Sequence, residues 1–102
     1  MHEGIDILAP SGAEVRAASQ GRVDYSGSGM RGYGNVVILG HGDGITTLYG
    51  HLATIRVQSG ETVPAGAVIG TIGRTGNATT HHLHFVLRVD GEALDPVPHL
   101  NR

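Results

Sequence analysis

His82-Leu83-His84-Phe85-Val86-Leu87 is the stretch on which the fold turns. In an extended chain successive side chains point to opposite faces, so His82, His84 and Val86 share one side and Leu83, Phe85 and Leu87 the other. An apolar row backing an imidazole row is the pattern of a strand with its core on one face. The same period of two, applied to Leu48-Tyr49-Gly50-His51-Leu52, puts Tyr49 and His51 on a common face. Further β-branched runs cover residues 14–16, 21–26, 35–39, 45–52, 68–72 and 83–89, each bounded by turn residues. No segment keeps a helical period for three turns, and the best candidate, residues 13–20, is short and flanked by glycine.

Turn chemistry between these runs is dense. Pro10-Ser11-Gly12, Gly27-Ser28-Gly29, Gly40-His41-Gly42-Asp43-Gly44 and Ser59-Gly60-Glu61 all suit tight reversals, because glycine tolerates positive φ. The chain is therefore expected to be all-β, a compact antiparallel sheet. Two longer polar connections, residues 26–34 and 74–81, are candidate walls of a groove on one sheet face. At 102 residues the chain accommodates one domain, 1–102, with no visible linker or repeat.

Composition removes several function classes. Seven arginines, no lysine and nine acids give a net charge of −2 with no basic run, which disfavours a nucleic-acid partner. Cysteine is absent, which excludes disulfides, thiolate metal sites and a cysteine nucleophile. No apolar run approaches the length of a membrane span, and no export signal is visible within the chain. A carrier module of the biotin or lipoyl type, suggested by Val63-Pro64-Ala65-Gly66-Ala67-Val68-Ile69-Gly70, fails because no lysine exists to carry the cofactor.

Seven histidines are the remaining chemical asset. His82 and His84 sit side by side on the strand reading, and a strand holds two imidazoles more rigidly than a loop. Near the N-terminus, His2-Glu3-Gly4-Ile5-Asp6 offers an imidazole and a carboxylate four apart, on one face of an extended segment. Two histidines and one carboxylate are the donor set of a catalytic zinc, which keeps a fourth position open. Taken singly, each motif is weak: a His-x-His pair is more often a surface pair, and Asp6 is most simply a turn or strand-end hydrogen-bonder. His51 has a plain alternative as a ring packed beside Tyr49. His41 reads as a turn residue, and His81 and His99 show no paired geometry, so these three stay outside the candidate site.

Taken together and in order, His2-Glu3-Gly4-Ile5-Asp6, Tyr49-Gly50-His51-Leu52 and His82-Leu83-His84-Phe85 resemble the three signatures of the lysostaphin/LytM-type zinc endopeptidases. Gly32-Tyr33-Gly34-Asn35-Val36-Val37-Ile38 is similar to the central strand of that family, and Gly73-Arg74-Thr75-Gly76 to its glycine-rich approach to the last motif. The resemblance implies one Zn2+ per chain, held by His2, Asp6 and His84, with His51 and His82 as the unliganded catalytic histidines. It implies a monomeric endopeptidase that hydrolyses the interpeptide bridge or stem-peptide cross-link of bacterial peptidoglycan with a zinc-activated water, in the periplasm, outside the cell or in a phage lytic protein. It further implies the catalytic portion of a longer protein, or a minimal module. The rival expectation is a catalytically silent relative that binds peptidoglycan or regulates a partner hydrolase. A stretch and a single position depart from the family pattern: Ala78-Thr79-Thr80-His81 stands where Ser-Thr-Gly-Pro is usual, and Val86 where glutamate is common.

Overall fold

The computed structural model describes residues 5–73 and 82–94, without the side chains of residues 5, 6, 93 and 94. Among the described residues there is no helix, and nine strands form one sheet: β1 (Ile5–Leu8), β2 (Glu14–Arg16), β3 (Gly21–Gly27), β4 (Asn35–Gly42), β5 (Ile45–Ile55), β6 (Thr62–Val63), β7 (Val68–Ile72), β8 (His82–Val89) and β9 (Glu92–Leu94). Every pairing is antiparallel. The main path runs β1-β8-β5-β4-β3-β6; β7 joins β5 to β2, and β9 pairs with β8.

All six expected runs are strands, and several extend beyond the expected ends. Three strands come in addition: β1, β6 and β9, of four, two and three residues. Each is a short piece paired to a longer neighbour, β1 and β9 to β8 and β6 to β3, and it is these ladder bonds that make them strands. His41, expected in a turn, lies inside β4; the turn itself is only Asp43-Gly44, with φ of 53° and 77°. Two consecutive positive φ values between the paired Gly42 and Ile45 make the type I′ reversal whose twist matches the flanking strands.

The strand β5 organises the sheet. It pairs with β8 over Ile45 to Gly50, then leaves β8 and takes β7 as partner from Leu52 onward, with a register irregularity between Leu52 and Thr54. One face of this sheet carries the main core, which includes Val15, Val23, Leu39, Tyr49, Leu52, Ile69, Leu83, Phe85 and Leu87. As the alternation in β8 requires, Leu83, Phe85 and Leu87 all face this core. The opposite face bears a smaller buried cluster, Val36, Leu48 and Val86, on which Tyr25, Met30, Tyr33 and Ile38 pack. The stretches 47–52 of β5 and 82–87 of β8 are consequently buried without interruption, on both faces.

A chain of polar groups ties the main core to its rim. The buried Tyr49 hydroxyl accepts from the Ala18 amide (3.0 Å) and bonds the Thr47 hydroxyl (2.9 Å). Thr47 in turn bonds His41 Nε2 (2.7 Å), and His41 Nδ1 donates to the Gln20 carbonyl (2.8 Å). His41 thus has a structural task, which accounts for its place in a strand. Burial raises the pKa of Tyr49, against the lowering effect of the hydrogen bonds from Thr47 and Ala18.

Candidate functional site

The second face of the sheet brings three imidazoles together. His82 opens β8 and His84 follows two residues later, so both project to the side away from Phe85. The His51 ring lies 4.9 Å from that of His82 and 5.9 Å from that of His84, centroid to centroid. All three are buried, with 7–9% of their surface exposed. Imidazoles spaced this closely on paired strands can share one ion or pass one proton between them and a bound group.

His51 reaches this cluster by a route that simple alternation misses. Tyr49 faces the main core, its ring 5.3 Å from Phe85, so a regular β5 would send His51 the same way. The expectation that Tyr49 and His51 share a face is therefore corrected. His51 has φ of 62°, in the left-handed region that a non-glycine residue enters only at a cost, and this turns its side chain across the sheet. The inversion falls where β5 exchanges β8 for β7. With the ladder interrupted there, the His51 amide donates instead to the Tyr33 carbonyl (2.8 Å).

The other sequence candidates have the following places. Asp6 lies in β1 directly opposite His84, in the antiparallel register Asp6↔His84, and on the other flank of β8 the partner of His84 is Gly50. His84 thus occupies a central strand with a carboxylate-bearing position beside it. His2 lies outside the described residues, as does the expected groove wall at residues 74–81. Among the described residues no group of three or more His, Cys, Asp or Glu has the geometry to hold a metal. Of the donors in the expected set, only the His84 side chain is described. The donor chemistry of the cluster fits zinc: imidazoles carried on a sheet next to an aspartate position, with no thiolate in the chain.

The other expected wall, residues 26–34, does lie against the histidine face. Its Gly29 amide donates to the Tyr25 hydroxyl (2.8 Å), its Tyr33 amide donates to the Met30 carbonyl (3.3 Å), and Met30 and Tyr33 pack on Val36, Leu48 and Val86. Val86 is fully buried, in register with Leu48, so the position where family members commonly carry glutamate is here filled by an apolar contact. Tyr33 also touches the site itself, its ring 5.5 Å from that of His84 and tilted by 36°. Nothing in the spacing of the histidines pointed to Tyr33; an aromatic residue set between glycines in a long connection was the available signal.

Comparison with known proteins gives a consistent picture. Residues 1–96 match the family model of Peptidase family M23. Over 97 residues the chain is 42% identical to the DD-carboxypeptidase/endopeptidase Mpg of Neisseria meningitidis serogroup B, covering 95% of this chain and 22% of that protein. Over 99 residues it is 39% identical to the murein hydrolase activator NlpD of Escherichia coli K12, covering 97% of this chain and 26% of that protein. The chain therefore spans well under half the length of these curated relatives. Among solved structures, the catalytic domain of the antimicrobial peptidase lysostaphin from Staphylococcus simulans is similar with a TM-score of 0.92 at 36% identity, covering 100% of this chain and 80% of that one. A zinc containing peptidase from Vibrio cholerae is similar with a TM-score of 0.85 at 34% identity, covering 90% of this chain and 28% of that one.

Proposed function

The chain belongs to peptidase family M23, and from that membership we propose that it is a zinc-dependent endopeptidase domain acting on the peptide part of bacterial peptidoglycan. One observation supports the assignment above the rest: His51, His82 and His84 converge on one sheet face while the backbone register sets Asp6 opposite His84. In this reading His84, Asp6 and His2 hold the zinc. When bound, the zinc supplies a Lewis acid for the scissile carbonyl and brings the pKa of water to about 7. The zinc of the Vibrio cholerae peptidase named above lends the choice of metal its support.

His51 and His82 are the proton carriers of the proposal. Each has its backbone amide bonded outside the ladder, His51 to the Tyr33 carbonyl and His82 to the Gly73 carbonyl (3.1 Å), and the two rings lie 4.9 Å apart, centroid to centroid. Such a pair of imidazoles is suited to take a proton from the attacking water and return one to the leaving amine. The buried setting excludes bulk water and strengthens each hydrogen bond made during the reaction. Peptidoglycan in the periplasm or outside the cell is the substrate proposed; the peptidase names of lysostaphin and Mpg support the reaction, and the murein in the name of NlpD supports the substrate.

The second reading is a module without hydrolytic activity that regulates a partner hydrolase. It is favoured by the relative named as a murein hydrolase activator, and by Val86 at a position where a polar partner for the site is common. Zinc content of the purified protein, followed by turbidity of purified cell walls with and without a chelator, separates the two. Wall clearing that stops with the chelator is the expected result. Stoichiometric zinc without any cleavage product transfers the assignment to the regulatory module, and a protein that takes up no zinc removes the metal from both.

A further inference from the structure

We propose that Tyr33 is a positioning residue of the histidine cluster: its ring seats the His84 imidazole, and its backbone carbonyl holds β5 at His51. The proposal rests on the reading of His84 as a metal ligand, and it adds to that site a residue from the connection between β3 and β4. An imidazole turns broadly about its last side-chain torsion, so a ligand histidine needs neighbours that fix its plane. Tyr33 supplies one such neighbour, a ring 5.5 Å from the His84 ring and tilted by 36° to it.

The tyrosine is itself held from several sides. Its amide donates to the Met30 carbonyl, its carbonyl accepts from the His51 amide, and its side chain joins Met30, Tyr25 and Ile38 on the buried Val36, Leu48 and Val86. Beneath the ring lies Gly50, the cross-strand partner of His84. A Cβ at Gly50 would sit 3.2 Å from Tyr33 Cδ1, closer than ordinary contact, so the bare backbone at position 50 is what lets the ring settle beside His84. The two contacts are made by one residue, which couples a proposed ligand to a proposed proton carrier. Displacing the ring therefore loosens His84, and displacing the carbonyl releases His51.

The test measures zinc affinity by competition with a chromophoric chelator for the wild-type protein, Tyr33→Phe, Tyr33→Leu, Gly50→Ala and the Gly50→Ala/Tyr33→Leu double variant. Thermal unfolding of each metal-free protein establishes that it is folded. Tyr33→Leu is expected to weaken zinc binding by about 10-fold, the scale at which groups supporting a ligand act, while Tyr33→Phe restores the wild-type value. Gly50→Ala is expected to weaken binding alone but to add nothing to Tyr33→Leu, because no ring is then left to displace. A readout without metal accompanies it: the His84 ring protons carry a ring-current shift in the nuclear magnetic resonance spectrum that Tyr33→Phe keeps and Tyr33→Leu loses. If Tyr33→Leu fails to fold, Gly50→Ala with the ring-current shift decides alone. Wild-type zinc affinity in Tyr33→Leu, or in Gly50→Ala where that variant decides, overturns the proposal. Should the wild-type protein bind no zinc, the metal reading falls; an unchanged ring-current shift in Tyr33→Leu would show instead that the contact itself is wrong.

Discussion

His51 carries a backbone cost that its neighbours do not. At a φ of 62° an L-residue meets the crowding that disfavours left-handed backbone by about 1–2 kcal/mol, which glycine escapes. Replacing His51 by glycine is therefore expected to leave a more stable protein than replacing it by alanine, by about 1 kcal/mol in urea unfolding. That order is the reverse of what an ordinary strand position gives, and an alanine variant as stable as the glycine one would contradict the strained conformation. Neither variant is expected to clear cell walls. The two histidines of β8 divide differently. We expect His84→Ala to lose both zinc and hydrolysis, and His82→Ala to lose hydrolysis while retaining the metal; equal zinc loss, measured by elemental analysis, would exchange their roles. Of these residues, His82 and His84 were legible as a pair from alternation alone. The same rule misplaced His51 relative to Tyr49, because a single left-handed residue inverts every inference drawn from a period of two.

Hairpins show how local chemistry and context divide at the level of elements. Asp43-Gly44 joins β4 to β5 and Asp90-Gly91 joins β8 to β9, and all four residues have positive φ. Such Asp-Gly pairs are strong short-range signals for a two-residue reversal. The first pair was legible inside a longer glycine-rich turn, while β9 escaped notice because its three residues carry little pattern of their own. The two turns differ in their surroundings. A Cβ at Gly44 would strike the Asp90 side chain, whereas one at Gly91 meets nothing within 4 Å. Gly91→Ala is thus expected to cost about 1 kcal/mol, the backbone penalty alone. Gly44→Ala should cost more than that, since the turn must also push Asp90 aside; chemical denaturation of the two variants provides the comparison, and equal losses would remove the contact from the account.

At the scale of the molecule, Tyr49 links the middle of β5 to Ala18 and, through Thr47 and His41, to Gln20. Its phenol is held neutral by burial, with its pKa raised. The stability this contributes is complete below the ordinary tyrosine value near 10 and is lost as pH climbs toward the raised value, because the unfolded chain releases its proton first. The urea midpoint of the wild-type protein is accordingly expected to fall more steeply above pH ~10 than that of Tyr49→Phe, which has no such proton to lose. Parallel curves for the two would mean that Tyr49 is not responsible. The proposed zinc site makes a prediction for the whole fold as well: a metal bound only by the folded state raises the melting temperature, so a chelator is expected to lower it in wild type and leave His84→Ala unmoved. The sequence by itself determined the all-β class, six of the nine described strands and the imidazole face of β8, since these depend on periods of two and on turn residues that act within a few positions. Only the tertiary structure decided that Asp6 pairs across from His84, that β5 changes partner at His51, and that Tyr33 closes over the cluster. Those are outcomes of competition among distant backbone pairings, and no local pattern encodes which strand will win a given edge or where a ladder must bend.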